Sequence, residues 1–321
     1  VFQNIIVFDH YHNQVYVFDH GYESRKSRLD FIVNLVEHRD TARYDFNVVD
    51  SEKSEMTDAE FKELIKKGKH HAQVGDTFQM VLSRKFSQKY KGDDFQVYRQ
   101  LRAINPSPYL FYFDYGDFRI FGSSPEAQLL VNGNNASIQP IAGTYKRTGN
   151  DDQDFKASQA LKKDPKETAE HVMLVDLARN DLSRHAREVI VKDYQSIHFY
   201  SHVIHMVSKV TGTIDSGNQL KLVADTFPAG TLSGAPKFKA MQLIDGYEKS
   251  AREFYGGAIG FMGFNGDFNH AIIIRSILSQ GNELHYRAGA GVVVESDPDD
   301  ELQEVYNKTN ALRSAIKQAK K

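Results

Sequence analysis

The sequence predicts an α+β fold in which two packed sheets, antiparallel or mixed, carry their helices outside. Three observations lead there. Strand-like runs cluster with glycine turns between them, as in YLFYFDY, FRIFGSS and AQLLVNG over residues 109–132. Strands and helices do not alternate one for one, which argues against a Rossmann or barrel order. A chain of 321 residues, 40% hydrophobic and 12% aromatic, is also long and apolar enough to bury a large core.

Taken in order, residues 5–8 and 15–18 are β-branched and aromatic runs around a polar DHYHNQ, a hairpin or two edge strands. Leu29, Ile32, Val33 and Val36 recur at helical spacing, which predicts a helix over 26–36. Residues 39–56 are polar and aperiodic and read as a linker. The expected division is therefore an N-terminal region over 1–56 and a main domain over 57–321. Thr57 stands as an N-cap with acids in the turn after it, and Gly75 marks the stop of that helix. FQMVLSRKFSQKY alternates as a strand, and FQVYRQLRAIN is a helix ended by Asn105-Pro106. Residues 154–181 read as helix, 188–194 and 202–212 as strands, and 220–227 and 235–249 as helices. Three runs at 258–264, 270–279 and 283–294 form a meander, and a last helix starts near Pro298.

Composition excludes several classes of function. Forty basic and 42 acidic side chains give a formal charge of −2, so nothing draws the whole chain to nucleic acid or to an anionic membrane surface. With no cysteine there is no disulfide, thiolate site or cysteine nucleophile, which fits a reducing, cytoplasmic setting. No apolar run approaches the ~18 residues of a membrane span. The text opens on Val1 and a strand-like VFQNIIVF, so the expectation is a piece of something longer.

Chemistry-bearing residues stand out in two helical carboxylate pairs. Glu167 and Glu170, and again Glu301 and Glu304, lie three apart on one helix face, with Lys308 a turn beyond. Four such oxygen donors suit a hard cation such as Mg²⁺, and the spacing fits a solvated acidic face as well. Glycine loops recur at 122–126, 140–144, 227–237, 255–257 and 288–291; none is a Walker A loop, and AGAG precedes VVV rather than a helix. They read as tight turns or as backbone amides closing on an anion. The His70-His71 and His202/His205 pairs lack metal-ligand spacing, and Ser123, Ser124 and Ser233 lack the nucleophile elbow. Arg275 closes the apolar AIIIR run, where a guanidinium calls for a carboxylate that a ligand could supply.

Together these segments resemble the chorismate-utilising enzymes, and among them the synthase subunit (component I) of anthranilate synthases. The matching stretches include GDTFQMVLSRKF, NPSPYLFYF, GSSPEAQLL, IQPIAGTYKRT, KETAEHVMLVDLARNDLSR, YSHVIHMVSKVTG, FPAGTLSGAPKFKAMQLID, YGGAIGF, AIIIRS and AGAGVVVESDPDDELQEVYNKTNAL, in family order over roughly 57–313. The resemblance implies a Mg²⁺-dependent lyase that aminates chorismate at C2, loses the C4 hydroxyl and releases pyruvate. Glu170 and Glu304 match its magnesium carboxylates, with Glu167 and Glu301 beside them. Tyr255, Arg275 and the backbone near Gly289 and Gly291 match the pyruvyl site; Gly143, Thr144 and Thr231 match ring-side positions, and Lys308 belongs to the same motif. Glu126 matches the acid that protonates the departing hydroxyl, which requires a pKa raised by nearby carboxylates and partial burial. His205 matches the histidine of the second step.

Two positions separate the branches. Water-using relatives carry a lysine base where this chain has Gln79, and typical aminodeoxychorismate synthases carry a nucleophilic lysine where it has Ala142. The pair points to anthranilate; the alternatives are an aminodeoxychorismate synthase component I lacking that lysine and a non-catalytic chorismate-binding subunit. Tyr145-Lys146 departs from the arginine and proline of relatives. The resemblance also implies a glutamine amidotransferase partner. Asn105, Pro106, Ser107 and Tyr109 match one wall of the family's tryptophan pocket; the LLES-like segment of the other wall is not among these residues, so the expectation is weak tryptophan binding by this chain.

Overall fold

A computed structural model describes residues 2–320 except Tyr22, Glu23, residues 39–41, Ser201, His202, Ser216 and Asn218. The expectation for His202 thus lies outside the described residues. The chain divides into two units, Val1–Tyr44 and Asp45–Lys321. In the first, β1 (Asn4–Asp9) and β2 (Gln14–Asp19) form the expected antiparallel hairpin, and α1 spans Leu29–Glu37.

The larger unit starts twelve residues earlier than the sequence suggested. Residues 45–56 belong to it because β3 (Phe46–Val48) and β4 (Lys53–Ser54) pair with a long later strand, and Phe46 and Met56 are buried in its core. Those pairings are tertiary, so no local periodicity announced them. Next come α2 (Asp58–Gln73), β5 (Gln79–Gly92), α3 (Phe95–Ile104), β6 (Tyr109–Asp114), β7 (Phe118–Ser124), β8 (Ala127–Asn132), β9 (Asn135–Ile138) and β10 (Ile141–Lys146). Then follow α4 (Asp151–Lys163), α5 (Pro165–Ser183), β11 (Ala186–Phe199), β12 (Val203–Ile214), α6 (Gln219–Thr226), a 3-10 turn at Gly230–Leu232 and β13 (Gly234–Ala235). The chain closes with α7 (Lys237–Tyr247), β14 (Ala258–Met262), β15 (Phe268–Ile272), β16 (Ser276–Gln280), β17 (Glu283–Val292) and α8 (Pro298–Ala319).

These strands build an eight-stranded sheet, ordered β13-β5-β17-β16-β7-β6 with β3 and β4 on β5, and a seven-stranded one, ordered β10-β12-β9-β8-β15-β14 with β11 on β12. Their ladders are antiparallel, so the mixed alternative is set aside. The helices do lie outside. On β5 the even residues Met80, Leu82 and Phe86 meet α2, α3 and α8 in the main core, while Gln79, Val81 and Ser83 turn to the opposite face. A second core packs β8, β9 and β12 against α5 and α6.

Two expectations about single elements are corrected. The helix expected over 154–181 is two, because Asp164 accepts from the Lys166 and Glu167 N–H groups and caps a new helix with Pro165 at its first position. The expected meander is divided between sheets: β14 and β15 belong to the seven-stranded sheet, β16 and β17 to the eight-stranded one. The strand expected at 270–279 breaks at Arg275, which adopts a left-handed φ of 51°. The chain changes sheet there, and a guanidinium ends up at the crossover.

Candidate active site

Helix caps set the phase of the carboxylates. Asp164-Pro165 starts α5 and Asp297-Pro298 starts α8, each aspartate accepting from two backbone N–H groups. Glu167 and Glu301 therefore fall in the first turn, where the helix dipole favours negative charge, and Glu170 and Glu304 one turn on along the same face. The four sense one another. Burial first, then Glu170, Asp164 and Glu304, push Glu167 up to about 6. Burial and Glu304 push Glu170 up against the pull of Lys308 and a hydrogen bond from Gln79 Nε2 at 3.2 Å. Glu301, 3% exposed, is pushed up to about 7 by burial and by Glu304. Burial also presses on Glu304, but the Lys308 ammonium at 2.5 Å outweighs it and holds that carboxylate low.

Carboxylates brought together in this way are the donor chemistry of a hard divalent cation. Among the described residues, however, no three carboxylates or imidazoles converge closely enough to hold an ion as they stand. The set fits magnesium in its donor type and charge, with Lys308 as the competing cation.

The strand face opposite the core supplies the next wall. Gln79 is 3% exposed, and its carboxamide Oε1 is buried without a partner. Across the β5/β17 ladder, Gly291 stands opposite Val81 and Gly289 opposite Ser83. A Cβ on Gly291 would come within 2.4 Å of Gln79 Nε2, and one on Gly289 within 2.7 Å of the Leu82 carbonyl oxygen. Glycine keeps this wall low. Lys308 Nζ donates to the Gly289 carbonyl at 2.9 Å, tying α8 to the same strand.

Glu126 follows the end of β7. Its Oε1 accepts from Thr231 Oγ1 at 2.9 Å, and the pair borders a small cavity shared with Gln128 and Asp181. Burial pushes Glu126 up to about 7; the Thr231 hydroxyl, Lys308 and Arg275 all pull the other way. The raised acid was expected, but its cause is burial alone: no carboxylate raises it. Arg275 is pushed down by burial and held up by Tyr255, Glu304 and Glu126 in turn. Tyr255 is pushed up by burial, against Arg252 and Lys308. Through these couplings Glu126, Thr231, Tyr255, Arg275, Glu304 and Lys308 form one electrostatic neighbourhood.

Gly143 adopts a positive φ of 78° at a bulge in β10, and a Cβ there would lie 3.2 Å from Glu167 Oε2. His205, on the adjoining β12, meets the Gly143 carbonyl through Nδ1 at 3.3 Å. Burial lowers the His205 pKa, which keeps the ring neutral near pH 7. Thr144 pairs with His205 in the ladder through its backbone. The segment holding Asn105, Pro106, Ser107 and Tyr109 enters β6: the Asn105 carbonyl accepts from Ser123 Oγ, and Tyr109 pairs with Ser124, two residues before Glu126.

Sequence reasoning missed a buried charge cluster behind Tyr255. Glu248, Arg252 and Arg287 interlock there, with Glu248 accepting from the Ser83 N–H at 2.9 Å. KSAREFYGG carries no motif that marks it, and the one local signal is Arg287, a basic residue inside the strand run ELHYRAGAGV.

Comparison with known proteins decides the family. The family model described as chorismate binding enzyme matches residues 1–314. The chain belongs to the chorismate-binding enzymes. Relatives include anthranilate synthase component 1 of Aquifex aeolicus, 40% identical over 92% of this chain and 61% of that protein. The same-named protein of Neisseria meningitidis serogroup B is 44% identical over 91% of this chain and 60% of that protein. The chain thus spans about three fifths of the length of these curated relatives. Among solved structures, anthranilate synthase component I from Streptococcus pneumoniae superimposes with a TM-score of 0.83 at 34% identity, covering 97% of this chain and 72% of that one. The menaquinone-specific isochorismate synthase MenF of Escherichia coli shares the fold, with a TM-score of 0.80 at 23% identity over 89% of this chain and 67% of that one. Among the described residues no helix is long and apolar enough to cross a membrane.

Proposed function

We propose that this chorismate-binding chain carries out the anthranilate synthase reaction, chorismate and ammonia giving anthranilate, pyruvate and water. The observation that carries the reading is Glu126: a carboxyl pushed up to about 7, oriented by Thr231, beside the cations Lys308 and Arg275. A group so poised donates a proton near neutral pH. Ammonia attacks C2 as the C4 hydroxyl leaves with the Glu126 proton as water. Aromatisation then removes the C2 hydrogen and releases the side chain as pyruvate, with neutral His205 as the base available on β12.

Arg275, Tyr255 and the glycine wall at Gly289 and Gly291 would take the pyruvyl carboxylate, for which a guanidinium and a phenol hydroxyl are suited donors. Glu170 and Glu304, with Glu167 and Glu301 near them, would hold Mg²⁺, which when bound would withdraw charge from the ring carboxylate. Asn105, Pro106, Ser107 and Tyr109 would form part of a regulatory tryptophan site.

Gln79 and Ala142 select the branch. Glutamine cannot deprotonate water, whereas ammonia attacks without activation, and alanine offers no covalent nucleophile. Supplied with chorismate and Mg²⁺ but no ammonium, the protein should form neither isochorismate nor salicylate. Gln79→Lys should gain a hydroxylated product, because an amine replaces the amide as a base. Hydroxylated product from the unaltered chain, identified by chromatography, would place it on the water-using branch instead.

The nitrogen source follows from composition. These 321 residues contain no cysteine to serve as a glutaminase nucleophile, so glutamine-dependent turnover should need an amidotransferase subunit while ammonium should suffice alone. Anthranilate formed from glutamine by the purified single chain would contradict this.

A further inference from the structure

The buried cluster behind Tyr255 contains charges that the chemistry above does not use. Arg252 lies at its centre. Its Nε and Nη2 donate to the two Glu248 oxygens at 2.9 and 2.6 Å. Nη1 reaches the Leu232 carbonyl at 2.5 Å and Nη2 the Val81 carbonyl at 2.7 Å. The Tyr255 N–H closes a turn onto the Arg252 carbonyl at 2.9 Å, and the guanidinium carbon sits 5.8 Å from the centre of the Tyr255 ring. Glu248 is fixed in turn by Ser83, through N–H at 2.9 Å and Oγ at 2.8 Å, and by Arg287 at 3.3 Å.

We propose that Arg252, gripped by Glu248, is a positioning residue that locks three walls of the chorismate cleft together: the turn carrying Tyr255, the Leu232 carbonyl next to Thr231, and the stretch of β5 opposite Gly291. The proposal rests on the chorismate reading of the cleft. One rigid guanidinium joins segments far apart in sequence: the first two carry Tyr255 and Thr231, and the third lies beside the glycine wall at Gly291. A buried ion pair is by itself weak evidence for stability, and an apolar side chain could fill the same space. Only a planar fork can serve both carbonyls and both carboxylate oxygens at once; a lysine ammonium on a flexible stem cannot keep that geometry.

The consequence for catalysis runs through Thr231. The groups facing Glu126 are the Thr231 hydroxyl and the charges of Lys308 and Arg275, and all three hold its carboxyl down. If the Leu232 anchor loosens, the Thr231 hydrogen bond weakens and the Glu126 acid titrates at higher pH. Loss of Tyr255 alignment should raise KM for chorismate.

The test compares the unaltered protein with Arg252→Lys and Glu248→Gln by thermal melting, chorismate kinetics with ammonium, and the pH dependence of kcat. Arg252→Lys should melt near the parent, raise KM by roughly tenfold or more, and move the alkaline limb to higher pH. Glu248→Gln should move both readouts the same way by less. A folded Arg252→Lys with parental KM and limb overturns the proposal. If that variant does not fold, Glu248→Gln is judged by the same two readouts. Failure of both to fold assigns the pair to the scaffold and overturns a positioning role. An unaltered protein without chorismate turnover overturns the functional reading itself, a result distinct from unchanged kinetics in an active enzyme.

Discussion

Glu126→Gln should lower kcat by ~10²–10⁴-fold, the usual contribution of a positioned general acid, with chorismate affinity changed only a few-fold. The amide keeps the size of the carboxyl and can still accept from Thr231, but it has no proton to give. The unaltered enzyme should lose activity as pH rises through about 7, the value to which burial pushes this acid, because only the protonated form donates. Stability should follow the same titration. The folded value lies above the ordinary 4.5 of a glutamate, so folding favours the protonated form. That contribution is fully present below the unfolded pKa and is lost as pH rises through about 7. Glu126→Gln carries no such titration and should melt higher than the parent at about pH 9, an instance of catalytic poise held against stability. Parental turnover in this variant would remove Glu126 from the chemistry.

Glu170→Ala and Glu304→Ala should each abolish measurable turnover, yet differ in stability. Glu170 is pressed upward by burial and by Glu304, so its removal relieves repulsion and the variant should melt at or above the parent. Glu304 holds the Lys308 ammonium at 2.5 Å, and Lys308 in turn binds the Gly289 carbonyl. Its removal leaves the partly exposed Lys308 ammonium without its carboxylate and should lower the melting temperature modestly. A cation bound only by the folded state stabilises it by mass action, so millimolar Mg²⁺ should raise the parent's melting temperature and not that of either variant. Activity that survives exhaustive chelation would exclude a metal role for these carboxylates.

The elements whose signals are local were legible in the sequence. Thr57 with Glu60 makes a reciprocal capping box, and the helix starts where its threonine indicated. The hairpin at β1 and β2 needed only alternating apolar residues around a polar turn. What the sequence could not show is set by distant partners. β3 and β4 are two or three residues long and exist as strands because β5 pairs with them. The break at Arg275 depends on the seven- and eight-stranded sheets meeting there, whereas AIIIRSILS reads as one continuous strand. The carboxylate spacing at 167/170 and 301/304 was visible, but it took the structure to show that α5 and α8 bring these charges within reach of one another. The cause of the raised Glu126 acid was misjudged for the same reason: sequence shows which charges exist, not which of them face a given side chain. Arg252 and Glu248 were invisible, because Arg252 meets the Leu232 and Val81 carbonyls and Glu248 the Ser83 N–H, backbone groups that any sequence supplies.

The central claim is that one cleft, formed by β5, β17, α5, α8 and the Glu126 and Tyr255 segments, converts chorismate and ammonia to anthranilate. Incubating the purified chain with chorismate, ammonium and Mg²⁺, and following anthranilate fluorescence and pyruvate together, tests it most directly. The account predicts both products in equal amounts, none without ammonium, and formation slowed ~10²–10⁴-fold in Glu126→Gln. An aminated product that keeps its pyruvyl group, with no fluorescence and no free pyruvate, would contradict it.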